Sequence, residues 1–268
     1  GITFNASIDE NRKKAARPVF NQNSVEFIRK YYKYFKDNFT GRDYIISLYN
    51  DVKYNLLNES TVPDRVFIGK DNFLFYSNKN DGDPVSDYQG LIKLDSKQLE
   101  IIALKLENLQ KWLNDNKIMF YFVVAPNKHT VYHDRMPDNI KKGESTSADQ
   151  VIYYLLSRNI PVIDLRGILL EARKNTDYNL YYKTDTHWNN LGAFIAFQHI
   201  TQILHKDFKN ISSFELDMKK IKKLENRNGG DLYRMLGIKN YPFFEMIMFT
   251  YPKNYIVTKN DTTGIITK

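Results

Sequence analysis

Apolar residues recur at helical spacing through the first sixty positions of the chain. In residues 24–38, Phe27, Ile28, Tyr31, Tyr32 and Phe35 form one stripe behind Ser24, a natural N-cap. Residues 44–57 continue in the same style, so 1–60 reads as a helical embellishment on a core domain that spans 61–268. From residue 66 the period shortens. Residues 66–76 predict two short strands around a turn at 69–72, and 80–87, with Gly82 and Pro84, predict a loop. A regular alternation follows. Ile102, Leu106, Leu109 and Leu113 mark a helix over 96–116. The apolar run 118–125, closed by Pro126, has the texture of a strand buried on both faces. Ser147 and Gln150 fit a capping box in front of a second helix. Residues 160–165 predict another strand, 166–174 a short helix, 180–182 a further strand and 189–205 a third long helix. This order of helices and strands is that of an α/β domain with a parallel sheet. Ligands of such sheets gather beyond the carboxyl ends of the strands. That rule singles out residues 126–135 and the segment around Asp185.

Composition narrows the picture. A chain of 268 residues that is 42% hydrophobic and 14% aromatic can bury roughly three quarters of its unfolded surface, which excludes disorder as its main state. The lack of cysteine excludes a disulfide framework and any thiolate metal site. The longest apolar stretch, 118–126, is far shorter than the ~20 residues of a membrane-crossing helix, and the first residues carry no apolar signal-peptide region. The net charge of +8 favours anionic partners: nucleic acid, anionic lipid or acidic polysaccharide. The densest basic run is Lys219, Lys220, Lys222, Lys223 and Arg227, interleaved with Met218, Ile221 and Leu224. It reads as a solvated helix face or as a nucleic-acid-binding strip. No nucleic-acid-binding module accompanies it.

Three constellations can carry chemistry. In Lys183-Thr184-Asp185-Thr186-His187-Trp188-Asn189 an Asp stands two residues before a His, in a loop that leads into a helix. A carboxylate that accepts from one ring nitrogen fixes the tautomer and leaves the other nitrogen to take a proton. The same Thr, Asp and Asn residues are also ordinary helix caps. Pro126-Asn127-Lys128-His129 follows the first core strand. There Asn127 can donate to an oxyanion and Lys128 can hold an anionic group, or the segment is a capped surface loop. Asn228-Gly229-Gly230-Asp231 lets backbone N–H groups approach a ligand, or simply turns the chain. His129 and His133 are spaced as metal ligands on a helix, but Pro126, Val131 and Pro137 argue against a helix there. No metal is expected.

These pieces, taken in order, resemble the alginate O-acetyltransferase family, whose catalytic domain is a permuted SGNH-hydrolase-like domain. They are VFIGKDNFLFY (66–76), FVVAPNKHTVYHDRMP (122–137), IPVIDLR (160–166), LYYKTDTHWNNLGA (180–193) and GGDLYRMLG (229–237). The resemblance implies a flavodoxin-like (SGNH-hydrolase-like) parallel sheet flanked by helices. It implies acetyl transfer to polysaccharide hydroxyls outside the cytoplasmic membrane, through an acetyl-Ser intermediate and without a cofactor. The expected partners are a polysaccharide acceptor and a membrane-bound acyltransferase that supplies acetyl, not nucleic acid. An N-terminal anchor ahead of residue 1 would fit that location. Asp185 and His187 take the positions of the family's Asp-x-His pair. Asn127, Lys128, Trp188, Gly230 and Asp231 are expected at the substrate. In the family a Ser follows a later apolar strand, in a motif such as RDSF or GDSF. None of the twelve serines here stands in such a context. The nucleophile is therefore expected beyond residue 268, in a domain incomplete at its C-terminus, with Ser212 and Ser213, which precede a polar, Lys-rich stretch, as the nearest fallback. Two alternatives stay open: a non-catalytic polysaccharide-binding or scaffold member of the fold, and an acetyl-ester hydrolase.

Overall fold

The computed structural model describes residues 13–20, 24–209, 222–226, 229–238 and 244–248, the segments 222–226 and 244–248 by their backbone. Two helices come first, α1 (Ser24–Asn38) and α2 (Arg42–Asn55). The chain then forms an antiparallel hairpin, β1 (Val66–Ile68) with β2 (Leu74–Tyr76), in which Val66 faces Tyr76 and Ile68 faces Leu74. Part of the segment predicted as a loop is a helix instead, α3 (Pro84–Tyr88). Pro84 pre-sets the first turn, and the Asp83 carboxylate accepts from the Ser86 N–H.

The α/β layer follows. Helix α4 (Ser96–Asp115) starts at a capping box formed by Asp95 and Gln98. It leads to β3 (Phe122–Val124), the one-turn helix α5 (Lys128–Val131), α6 (Ser147–Ser157), β4 (Val162–Asp164), α7 (Arg166–Lys174) and α8 (Asn190–Leu204). The box that opens α6 lies one residue earlier than predicted: Thr146 and Asp149 cap each other's backbone. Gln150 turns sideways to the Ile92 carbonyl and the Leu94 N–H. Strands β3 and β4 pair in parallel, Val123 beside Ile163. Alternation along β4 then splits the core. Val162 joins Ala103, Leu155 and Ile160 under α4 and α6. Ile163 joins Leu165, Leu169, Leu191 and Ala196 under α7 and α8. Helices thus cover both faces, as the α/β reading requires.

Among the described residues the parallel sheet consists of β3 and β4. Residues 118–125 are not buried throughout, since Ile118, Met119 and Val123 are exposed. Hydrophobicity alone does not distinguish an interior strand from one paired on a single side. The basic stretch read as helical is a strand where it is described. Strand β5 (Lys222–Asn226) pairs antiparallel with β6 (Phe244–Met248), after the short helix α9 (Asp231–Met235). Residues 218–221 and 255–258 lie outside the described residues. Among the described residues no helix is long and apolar enough to cross a membrane.

Between β2 and α5 lies an aromatic pocket. His129 sits within it, 4% exposed, with the rings of Phe75, Phe67 and Tyr88 at 5.2, 6.2 and 6.4 Å. Its Nε2–H donates to the Tyr76 carbonyl at 2.9 Å. The helical turn that the prolines argued against does form, but only over four residues, and it carries His129 inward while His133 stays exposed. Burial pushes the His129 imidazole down to about 4, the Tyr76 carbonyl opposing that shift. The fold therefore excludes a proton that the unfolded chain takes up below about pH 6.5. Stability should be complete above pH 6.5 and fall by about 3 kcal/mol in total between pH 6.5 and 4. Urea unfolding across that range checks it, and His129→Phe should remove the slope.

Candidate active site

The Asp185–His187 segment is the tip of a closed turn. Tyr181 and Trp188 form an antiparallel bridge, and the Asn189 N–H donates to the Leu180 carbonyl at 2.8 Å. Asn189 also starts α8: its side-chain oxygen accepts from the Leu191 and Gly192 N–H groups, each at 3.0 Å. Both ends of the loop are thus tied before any residue at its tip is considered.

At the tip His187 Nδ1 lies 2.6 Å from Asp185 Oδ1, which also accepts the His187 N–H at 3.0 Å. Asp185 Oδ2 accepts the Asp231 N–H at 2.9 Å. Burial opposes the Asp185 charge, but these two backbone donors and the imidazole outweigh it and hold the carboxyl below the usual range. With Nδ1–H directed at a carboxylate, the neutral ring keeps its lone pair on Nε2. The His187 side chain is 74% exposed, so Nε2 is open to a substrate. A second carboxylate stands behind it, with Asp231 Oδ2 3.8 Å from Nδ1. Thr186 ties Asp231 in place, its N–H donating to Oδ1 at 2.8 Å and its hydroxyl to Oδ2.

The loop is anchored from below by Lys128, which is 3% exposed. Its ammonium donates to the carbonyls of Tyr182, Lys183 and Asp185 at 2.8, 2.9 and 2.9 Å. It also lies 5.3 and 5.5 Å from the ring centres of Phe75 and Phe73. Burial pushes it down to about 7, against the pull of the Asp231 and Asp185 carboxylates. From the side, Gly230 packs against the loop so closely that a Cβ would stand 2.1 Å from the Thr184 carbonyl oxygen. Its N–H donates to Thr184 Oγ1 at 3.1 Å, and the Tyr233 N–H donates to the Thr184 carbonyl at 3.2 Å.

Five of the seven residues singled out in the sequence meet here: Lys128, Asp185, His187, Gly230 and Asp231. Their tasks differ from those expected for binding groups. Lys128 holds three carbonyls of the chain's own loop rather than an external anion. The Gly230 and Asp231 N–H groups go to Thr184 and Asp185 rather than to an oxyanion. Trp188 is half-buried against the main core. Asn127 lines a cleft of about 330 Å³ together with Phe75, Thr186, Asp231, Leu232 and Met235. His187 joins this cleft through Thr186 and Asp231. No serine lines it among the described residues. Sequence reading missed Thr184 and Thr186 as supports and Asp231 as the second carboxylate. The two threonines are visible in the sequence only as possible caps, because their partners lie 45 and 46 residues away. Asp185, His187 and Asp231 also place one ligand atom each within 4.8 Å of one another. A metal ion there would have to replace the proton between His187 and Asp185. Two substitutions test the anchoring. Gly230→Ala should cost about 1–3 kcal/mol through overpacking. Lys128→Met should cost about 2–4 kcal/mol, because it strands the Tyr182 and Asp185 carbonyls and leaves that of Lys183 with only the Leu74 N–H. Urea midpoints measure both.

Comparison with known proteins identifies the family. Residues 66–251 match the family model described as "SGNH hydrolase-like domain, acetyltransferase AlgX". Among solved structures, the O-acetyltransferase domain of Pseudomonas putida AlgJ is similar at 18% identity. It aligns over 68% of this chain and 63% of its own, with a TM-score of 0.46. Bacillus cereus PatB1 is similar at 21% identity, over 60% of this chain and 54% of its own, with a TM-score of 0.41. The chain thus spans less than two thirds of the length of either. No curated protein sequence matches it significantly. With more than half of its length covered by the family model, and the Asp-x-His pair and its supports inside the matched region, the chain belongs to the SGNH hydrolase-like acetyltransferase AlgX family.

Proposed function

We propose that this domain transfers acetyl groups to polysaccharide hydroxyls outside the cytoplasmic membrane, with His187 as the general base. The observation that carries the reading is the Asp185–His187 pair. Its Nδ1 is locked on a carboxylate at 2.6 Å and its Nε2 is open beside a cleft, within a domain matching an acetyltransferase family. Asp185 holds the productive tautomer and stabilises the imidazolium as the base takes a proton. Thr186 and Asp231 keep that carboxylate pair in register. In this reading β3 and β4 belong to a wider flavodoxin-like sheet.

The chemistry takes two balanced steps. A serine hydroxyl attacks the acetyl carbonyl of the donor, its proton passes to His187 Nε2, and the donor leaves with that proton. An acceptor sugar hydroxyl then attacks the acetyl-Ser, and His187 again takes and returns the proton. In this reading the serine follows a later strand beyond residue 268, since none of the twelve serines here stands in the family's motif; Ser212 and Ser213 lie outside the described residues. The acetyl donor is a membrane-bound acyltransferase, and the acceptor is a polysaccharide. Asn127, on the cleft wall, is positioned to contact it.

The experiment compares acetyl-ester turnover and acetyl transfer to an oligosaccharide by the chain extended through its downstream coding sequence. His187→Ala and Asp185→Asn should each lower turnover by about 10²–10⁴-fold. A His187→Ala protein that turns over at the wild-type rate overturns the assignment. Hydrolysis without any transfer to sugar would leave His187 as the base but make the protein an esterase.

A further inference from the structure

The two N-terminal helices present their apolar faces outward. On α1, Ile28 and Tyr32 are 65% and 62% exposed, and Tyr31 and Phe35 are exposed beside them. At 100° per residue these four share one arc, and Lys36, Arg29, Lys33 and Lys30 follow one another around the helix from the Tyr32 edge of that arc to its far side. Helix α2 sits on the domain by its polar side. Its buried residues are Ser47 and Asn50. The Asn50 amide donates to the carbonyls of Leu236 and Gly237 at 3.0 and 3.2 Å, and Tyr54 meets the Tyr233 ring edge-on. Its apolar arc of Ile45, Leu48, Tyr49 and Val52 is left in solvent, Tyr49 at 59%. A surface helix of a globular domain normally shows the reverse arrangement. Contiguous exposed apolar faces of this kind mark an interaction surface.

The charge around these faces decides the occupant. Arg29, Lys30, Lys33, Lys36 and Arg42 surround Tyr32 in an open groove of about 780 Å³, with Asp37 the one carboxylate in its wall. Lys36 lies 5.5 Å above the Tyr32 ring, and Lys53 of α2 lies 5.9 Å above that of Tyr49. A second copy docking through α1 would bring two sets of four lysine and arginine residues together. A lipid surface places apolar tails against the arc and anionic headgroups against the cations. Tyr and Lys side chains are at home at that boundary. Both helices precede residue 66, where the family match begins, so the surface belongs to the part of the chain outside that match.

We infer that α1 and α2 form a docking face for an anionic lipid bilayer, lying in its headgroup layer without crossing it. Co-sedimentation with vesicles tests this. The chain should pellet with phosphatidylglycerol vesicles at low salt and be released by high salt or by pure phosphatidylcholine. Lys33→Gln with Lys36→Gln should weaken binding about 30-fold, at about fivefold per charge. Ile28→Ser with Tyr32→Ser, and separately Ile45→Ser with Tyr49→Ser, should each weaken it at least tenfold. These side chains are exposed, so melting temperatures should stay unchanged. The inference is overturned if the chain ignores phosphatidylglycerol vesicles, or if the variants pellet like wild type. It is equally overturned if the face instead binds soluble polyuronate or drives dimer formation without binding vesicles. Acetyl-ester turnover of the same variants in solution should match wild type, which separates this inference from the one about His187.

Discussion

One buried ammonium sets the shape of the candidate centre. Lys128 reaches from the turn after β3 to the Tyr182, Lys183 and Asp185 carbonyls of the loop that holds Asp185 and His187. Carbonyl oxygens that converge on one point repel each other, and a cation among them removes that repulsion. The loop can therefore fold its carbonyls inward, which turns its N–H groups and side chains outward. That inversion brings the His187 N–H to the Asp185 carboxylate and leaves the imidazole exposed. The neighbouring aromatic rings keep water from competing for the ammonium.

The layer that carries the loop is ordinary by comparison. Helices cover both faces of a parallel pair, and α7 and α8 deliver the chain to the tip and away from it. Polar groups do the finer positioning. Asn189 both closes the turn and caps α8, while Gly230 admits α9 to van der Waals contact with the loop backbone. The centre is thus tied by hydrogen bonds on the side of the domain and open on the side of solvent.

What could be read from the sequence followed the range of the interactions. The Asp-x-His pair is local, so two residues of spacing were enough to propose its hydrogen bond. The helices α1, α2, α4 and α8 announced themselves by periodicity, and β4 by its short apolar run. Lys128 was visible as a residue near a strand end. Its role was not, because its acceptors lie 54 to 57 residues further on. Residues 118–125 were legible as apolar but not as a strand paired on one side, since pairing is a property of neighbours. The capping box of α6 was displaced by one residue because Thr146 and Ser147 are both competent caps, and the reach of Asp149 decides between them. Helix α2 was legible as amphipathic, but nothing in its own sequence says which face meets the domain.

The Gly230–Asp231 contact with the loop has a kinetic meaning. The hydrogen bonds that join α9 and the glycine before it to the Asp–His segment span 45 to 49 residues, and those of Lys128 span more. None can form before its intervening chain has closed, and each closure costs entropy that only later contacts repay. The helices and the hairpin can appear early from local contacts, whereas the geometry that orients the His187 imidazole comes with the final docking of α5 and α9. A partly folded chain would keep most of its helix and strand yet hold no oriented imidazole, so loss of the centre should precede loss of secondary structure as the protein unfolds.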